Sequence, residues 1–248
     1  LGNDFVIIDN RQKITNLTKD QIIKICDRNF VGCDQLILIG TDKSVDASLK
    51  FYNSDGGESG ACGNGTRCVA DLISKELNNK SVVLKTLSGN LKSKILGNNI
   101  VTTEIGKAKI EWNEIPLSEK LNTNNLNIKI NDRNNKEYSG GTAVNVGNPH
   151  VIFFVNEIDN FDIKKIGPSI ENHKIFPERC NVTIAQIINR SLIKVKVWER
   201  GAGLTKACGT AACATAFAGK LNNLTDNETD IEFEKGKLTI SIDEKNSI

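Results

Sequence analysis

Methionine is absent from all 248 residues, the initiator included. The sequence is therefore expected to begin after its true start. Histidine is nearly absent too: His150 and His173 are the only two, far apart and without metal-ligand spacing. No apolar run approaches the roughly 18–20 residues of a membrane helix, so no membrane partner is expected. Net charge is also lacking, with 32 Lys+Arg against 30 Asp+Glu and no basic or acidic run. That removes the electrostatic grip on which nucleic-acid binding rests. Seven cysteines are too sparse and too odd in number for a disulfide scaffold. They read as reduced thiols of a cytoplasmic protein. With 39% apolar and 25% charged residues, the rest of the composition is that of an ordinary globular chain.

The informative property is self-similarity. Gly2-Asn3-Asp4-Phe5-Val6-Ile7 returns as Gly147-Asn148-Pro149-His150-Val151-Ile152, and Phe51-Tyr52-Asn53 as Val197-Trp198-Glu199. Ala61-Cys62-Gly63-Asn64-Gly65 returns as Ala207-Cys208-Gly209-Thr210-Ala211, and Gly89-Asn90-Leu91 as Gly236-Lys237-Leu238. Gln35 falls opposite Asn181. The matches keep their order and one near-constant spacing, which predicts two homologous halves, 1–108 and 109–248. The same alignment leaves Gly141–Val146 and Ile100–Ile105 without counterparts, so the chain is expected to be one strand short at each end.

Both halves read as α+β. Strands are predicted at Ser81–Thr86, Leu91–Leu96 and Ile100–Ile105, and again at Ile231–Phe233 and Lys237–Ile242, separated by Gly/Asn turns. Thr18-x-x-Gln21 is a capping box before a helix carrying Ile22, Ile23, Ile25 and Cys26. Consecutive antiparallel strands, not a parallel βαβ sheet, are expected. The Asn-rich stretch Asn122–Asn135 reads as an exposed loop holding one short strand.

Chemistry concentrates where the repeat puts a cysteine after a glycine-rich loop. Asn53–Gly65 leads into a helix over Thr66–Leu77, with Cys68, Val69, Leu72, Ile73 and Leu77 predicted on one face. Glu199–Thr210 leads into Ala211–Leu221, apolar all round and so predicted to be buried. At a helix start, unpaired N–H groups and the positive end of the dipole stabilise a thiolate and can hold a carboxylate. If pseudo-twofold halves share a site at their interface, two such thiols can serve one carbon. One removes a proton from one face and the other returns a proton to the opposite face, inverting a stereocentre.

Several blocks now resemble the diaminopimelate epimerase family along the whole chain. They are Gly2-Asn3-Asp4-Phe5, Cys33-Asp34-Gln35, the Cys62 block, Gly147-Asn148-Pro149-His150, Pro177-Glu178-Arg179-Cys180-Asn181 and Glu199 to Thr210. Gly57 and Gly60 depart from the family pattern at positions that supply no chemistry. The resemblance implies two pseudo-symmetric α+β domains, each a curled, mainly antiparallel sheet around a central helix, with the active site between them. It implies a cofactor-independent isomerase that interconverts LL- and meso-2,6-diaminopimelate in lysine and peptidoglycan biosynthesis. Cys62 and Cys208 become the acid/base pair, with His150 and Glu199 tuning them. Asn3, Gln35, Asn53, Asn148, Asn181, Glu199 and Arg200 become substrate-binding residues, and the backbone at Gly63-Asn64 and Gly209-Thr210 holds the reacting-end carboxylate. The expected partner is the small-molecule substrate, and the resemblance admits a homodimer.

Simpler readings compete at each position. A buried cysteine is ordinarily a small apolar core residue, and Cys26, Cys33, Cys68, Cys180 and Cys213 are read that way. His150 alone would be structural, and Glu199 beside Arg200 would be an ion pair. The repeated blocks are what lift both into the site. Rival functions are a proline-racemase-like epimerase of another amino acid, and a Cys62/His150 hydrolase, which leaves Cys208 unexplained. A metal or thiol-redox module lacks C-x-x-C spacing. A pyridoxal-phosphate racemase lacks a lysine in recognisable context.

Overall fold

A computed structural model describes residues 2–12, 15–60 and 62–248. The chain divides into two compact units, Asn3–Ile105 and Gly106–Ile248, with Gly2 counted to the latter.

The first unit runs β1 (Phe5–Asp9), α1 (Lys19–Cys26), β2 (Gln35–Gly40), β3 (Ala47–Asn53), β4 (Glu58–Ser59), α2 (Gly63–Leu77), β5 (Ser81–Thr86), β6 (Gly89–Gly97) and β7 (Ile100–Thr103). The capping box before α1 is formed in both directions. Gln21 N–H donates to Thr18 Oγ1 at 3.3 Å, and Thr18 N–H donates to Gln21 Oε1 at 2.9 Å. The sheet follows β1-β2-β3-β5-β6-β7, with β4 paired to β3. Its inward residues Ile37, Ile39, Leu49, Phe51, Val82 and Leu84 close over Val69, Ala70 and Ile73 of α2.

The second unit begins with a two-stranded ribbon, β8 (Ile128–Asn131) and β9 (Glu137–Gly140). There follow β10 (Thr142–Asn145), β11 (Pro149–Val155), a 3-10 turn at Ile158–Asn160, α3 (Ile163–Glu171), β12 (Asn181–Asn189), β13 (Leu192–Glu199), β14 (Gly203–Thr205), α4 (Gly209–Leu221), β15 (Glu228–Phe233) and β16 (Gly236–Ser241). The second large sheet runs β10-β11-β12-β13-β15-β16, with β14 on β13. Helix α4 touches both edge strands, β10 and β16, and β11, β12 and β15 between them. A sheet can do this only by curling around the helix. Small side chains permit the enclosure: Ala211, Ala212, Ala214, Ala216 and Ala218 are all buried.

The repeat is reproduced pair by pair in the strand registers. Phe5↔Gln35 returns as His150↔Asn181, Leu36↔Tyr52 as Val182↔Trp198, and Phe51↔Ser59 as Val197↔Thr205. Ala47↔Leu84 returns as Ile193↔Ile231, and Leu84↔Leu91 as Ile231↔Leu238. Ala61, matched in sequence to Ala207, lies outside the described residues.

Three expectations are corrected. First, each large sheet is mixed: β1–β2, β3–β5, β11–β12 and β13–β15 are parallel, although antiparallel pairs predominate. The connections between these parallel strands all carry a helix, which a reading from short hairpins does not weigh. Second, the buried face of α2 is Gly65, Thr66, Val69, Ala70, Ile73 and Ser74. Cys68, Leu72 and Leu77 are exposed. The helix start is packed through glycine, which rotates the inward stripe away from the larger apolar residues; Cys68 is thus no core residue. Third, the Asn-rich segment is not simply exposed, because Ile128 and Ile130 are buried against Phe161 and Ile166 in the core of the second unit.

Candidate active site

Each unit presents a cysteine as the N-cap of its central helix. Cys62 precedes α2 with φ −139° and ψ 108°, and Cys208 precedes α4 with φ −138° and ψ 119°. The first intrahelical bonds run from Thr66 N–H to Cys62 O at 2.8 Å and from Ala212 N–H to Cys208 O at 3.0 Å. The N–H groups of Gly63 and Asn64, and of Gly209 and Thr210, therefore stand ahead of the helical ladder. Such N–H groups, at the positive end of a helix, are of the kind that can receive an anion.

Near the start of α2 the polar groups are mainly amides, with the Asp34 carboxylate and the Arg67 guanidinium at the ends of the network. Gly65 N–H donates to Cys62 Sγ at 3.4 Å. Asn64 Nδ2 donates to Asn3 Oδ1 at 2.7 Å, Asn3 Nδ2 donates to Asp34 Oδ2 at 3.2 Å, and Arg67 donates to Asn64 Oδ1. Gln35 Nε2 donates to Asn53 Oδ1 at 2.8 Å, across the ends of β2 and β3. Gly65 must be glycine, since a Cβ there would lie 2.8 Å from Ile37 Cδ1 and 3.0 Å from Phe51 Cε1. Close approach of the helix start to the sheet is what sets the height of Cys62.

Around Cys208 the surroundings are drier and charged. Cys208 is 7% exposed, and its Sγ lies 3.4 Å from Thr210 Oγ1. Burial first, then the Glu199 carboxylate beside it, pushes the thiol well above its ordinary pKa. His150 is fully buried, with Nε2 2.8 Å from Asn148 Oδ1 and no hydrogen-bond partner for Nδ1. Burial, and secondarily the positive Arg200, pull its pKa down to about 3. Asn181, 2% exposed, is spent on the backbone: its Nδ2 donates to Pro149 O at 2.9 Å and its Oδ1 accepts Arg200 N–H at 3.0 Å. The Arg200 guanidinium donates to Glu178 O at 2.8 Å. It turns to that carbonyl, so the Glu199–Arg200 ion pair of the simpler reading is not what holds the strand end.

The structure thus gathers Asn3 with Asn64 and Gln35 with Asn53 in the first unit. In the second it gathers Asn148 with His150, Asn181 with Arg200, and Glu199 and Thr210 with Cys208. Sequence reasoning missed Glu171, whose buried carboxylate receives Trp198 Nε1–H at 2.7 Å and Gly201 N–H at 2.9 Å. Its only sequence signal is an acid on the inward stripe of an otherwise apolar helix face. A cavity of about 410 Å³ lies elsewhere, lined by Ile130, Asp132, Arg133, Asp162 and Lys165, and contains none of these residues. Among the described residues no three His, Cys, Asp or Glu side chains cluster as metal ligands, and no helix is long and apolar enough to cross a membrane.

A family model described as diaminopimelate epimerase matches residues 1–111 and 142–248. The chain belongs to the diaminopimelate epimerase family. It is accordingly an epimerase, an isomerase by class. The unmatched residues, 112–141, include the β8–β9 ribbon. A protein of Pelagibacter ubique (strain HTCC1062) named diaminopimelate epimerase is 69% identical over 248 residues, which are 100% of this chain and 90% of the relative. One of the same name from Caulobacter sp. (strain K31) is 42% identical over 250 residues, covering 97% of this chain and 86% of its own. Solved structures share the fold at low identity. One, described as a predicted epimerase from Pseudomonas aeruginosa, has TM-score 0.67 at 13% identity, with 99% of this chain and 88% of that one covered. A hydroxyproline epimerase from Agrobacterium vitis has TM-score 0.61 at 14% identity, with 97% and 80% covered.

Proposed function

We propose that this epimerase interconverts LL- and meso-2,6-diaminopimelate without a cofactor, using Cys62 and Cys208 as its two bases. The observation that carries the reading is the repeated placement of a cysteine at the N-cap of each unit's central helix, at equivalent register positions. Cys62 takes a backbone N–H on sulfur, the setting that favours a thiolate. Cys208 is buried beside Glu199 and is held as the thiol. In one direction Cys62 removes the α-proton and Cys208 protonates the opposite face; in the other the parts exchange. As the proton leaves, negative charge develops on the α-carboxylate. The N–H groups of Gly63, Asn64, Gly209 and Thr210 are suited to stabilise it. Asn3, Gln35, Asn53, Asn148 and Arg200 supply the amides and guanidinium that a distal carboxylate and ammonium require, while Asn181, spent on Pro149 O and the Arg200 N–H, serves by holding the Arg200 backbone. Neutral His150 orients Asn148 through Nε2. Seven unlinked cysteines fit a reducing, cytoplasmic setting for lysine biosynthesis.

The test is α-proton exchange in deuterated water. Reduced protein, Cys62→Ala and Cys208→Ala would each be incubated with LL-2,6-diaminopimelate and followed by NMR and chiral separation. Exchange with formation of the meso isomer, lost in both variants, is expected. A folded protein that neither exchanges nor isomerises this substrate overturns the assignment. Epimerisation surviving Cys208→Ala would remove Cys208 from the acid/base pair.

A further inference from the structure

Glu171 has no part in the chemistry above, yet it is 6% exposed and sits at the inner C-terminal end of α3. Its two oxygens collect three donors: Trp198 Nε1–H on Oε2 at 2.7 Å, and on Oε1 both Gly201 N–H at 2.9 Å and Arg179 Nη1 at 3.2 Å. Trp198 and Gly201 flank the pair Glu199-Arg200 on either side. Arg179 lies two residues before Asn181, and Asn181 in turn accepts the Arg200 N–H. One carboxylate therefore ties together both segments that carry Asn181, Glu199 and Arg200.

The surroundings are shaped to deliver it. Gly167, one helical turn before Glu171, lies against the indole so closely that a Cβ would be 2.3 Å from Trp198 Cγ. The flat contact lets the Trp198 N–H reach Glu171 one turn further along the same helix face. The chain then turns at Gly201 with φ +75°, and Ala202 N–H closes back on Glu199 O at 3.1 Å. From Trp198 to Ala202 the backbone is thus held at both ends, and the Glu199 and Arg200 side chains leave it from fixed positions.

We propose that Glu171 is a positioning residue for the reaction, fixing Glu199 and Arg200 through the turn between β13 and β14. This rests on the substrate-binding roles assigned above to those two residues. Misplacement of binding groups by an ångström or less is costly when alignment carries the rate. Glu171→Gln keeps an oxygen for Gly201 and Arg179 but turns an amide N–H₂ toward the Trp198 N–H, a donor against a donor. Combining it with Trp198→Phe removes that clash and leaves the Gly201 bond intact.

The experiment is steady-state epimerisation of LL-2,6-diaminopimelate by the wild type, Glu171→Gln, Trp198→Phe and the double variant, with Tm measured for each. Expected is a KM raised about tenfold in Glu171→Gln, beyond any fall in kcat, and returned to within about threefold of wild type in the double variant. Loss of stability alone lowers the amount of active enzyme and leaves KM where it was. An unchanged KM with a lowered Tm would thus overturn the proposal. Should Glu171→Gln not fold, Glu171→Ala combined with Trp198→Phe decides: it removes the Gly201 bond and leaves no indole N–H unpaired, so a raised KM supports the role and an unchanged one rejects it. Arg200→Lys, run alongside, separates the premises. If it leaves KM unchanged, the assigned substrate grip fails and this inference fails with it. If it raises KM while Glu171→Gln does not, the inference alone is wrong.

Discussion

Acidification offers a sharp test of the buried imidazole. His150 is held neutral in the folded chain, with a pKa near 3, because burial and the positive Arg200 both oppose its protonation. In the unfolded chain the same group titrates near 6.5, so below that pH the unfolded state binds a proton that the native state refuses. Stability is whole above the unfolded value and falls as pH drops toward the folded one. The slope approaches about 1.4 kcal/mol per pH unit, which gives a loss of about 2 kcal/mol between pH 7 and pH 5. Carboxylates do not confuse this window. Asp159, lowered by Lys196, and Asp4, lowered by Arg28, release their contributions only below about pH 4.

Both tryptophans, Trp112 and Trp198, lie in the unit that contains His150, so their fluorescence reports its unfolding. Urea titrations at pH 7, 6 and 5 would be compared between wild type and His150→Gln, with His173 retained in both. The variant starts less stable, because it loses a packed side chain, but its curve should be nearly flat with pH. Parallel losses in the two proteins, or a wild type equally stable at pH 7 and pH 5, would refute the burial argument.

Further outcomes follow from single contacts. Gly65→Ala should cost about 1–3 kcal/mol by forcing a methyl against Ile37 and Phe51, read by urea titration in far-UV circular dichroism, and α-proton exchange should slow further as the Gly65 N–H leaves Cys62. Thr18→Ala should cost about 1 kcal/mol through the lost capping box and leave exchange rates alone; a slower exchange would mean α1 does more than cap the sheet. Glu199→Gln removes the carboxylate that helps hold Cys208 protonated, so its alkylation by iodoacetamide at mildly alkaline pH should speed up about tenfold for each unit of pKa recovered, as followed by peptide mass spectrometry. An unmoved rate would detach Glu199 from the thiol.

How far the sequence spoke depended on the kind of signal. The repeat was legible because it is linear: Gln35 and Asn181, or Phe51 and Val197, matched in sequence, take corresponding register places in their own sheets. The Thr18–Gln21 box was legible because capping is local. The face of α2 was not. Glycine at position 65 carries no hydrophobic signal, yet it decides which side of the helix meets the sheet, and so Cys68 and Leu72 were placed inward and stand outward. The parallel pairs were hidden because β13 meets β15 across an intervening helix. Glu171 was hidden for another reason: its partners lie 27 and 30 positions further on, and only folding shows that an acid in an apolar stripe has three donors waiting. The site's small residues were found through repetition, since asparagine alone says little in a chain this rich in it.

Repetition by itself, however, yields two equal thiols, and the two-base inversion proposed above needs an acid and a base at rest. The difference lies where the copies have diverged. Asn53 and Glu199 match in the repeat, as do Phe5 and His150, and each pair stands at corresponding strand ends. In the first unit the strand ends carry an amide that pairs with Gln35, and Cys62 receives the Gly65 backbone N–H on its sulfur. In the second they carry a carboxylate beside a buried thiol, and an imidazole too dry to take a proton. Burial comes first and the carboxylate second in raising the Cys208 thiol, so the proton affinity in this copy rests on dry packing as well as on the exchange of an amide for a carboxylate. With asparagine in place of Glu199, burial alone would still hold the Cys208 thiol above its ordinary value.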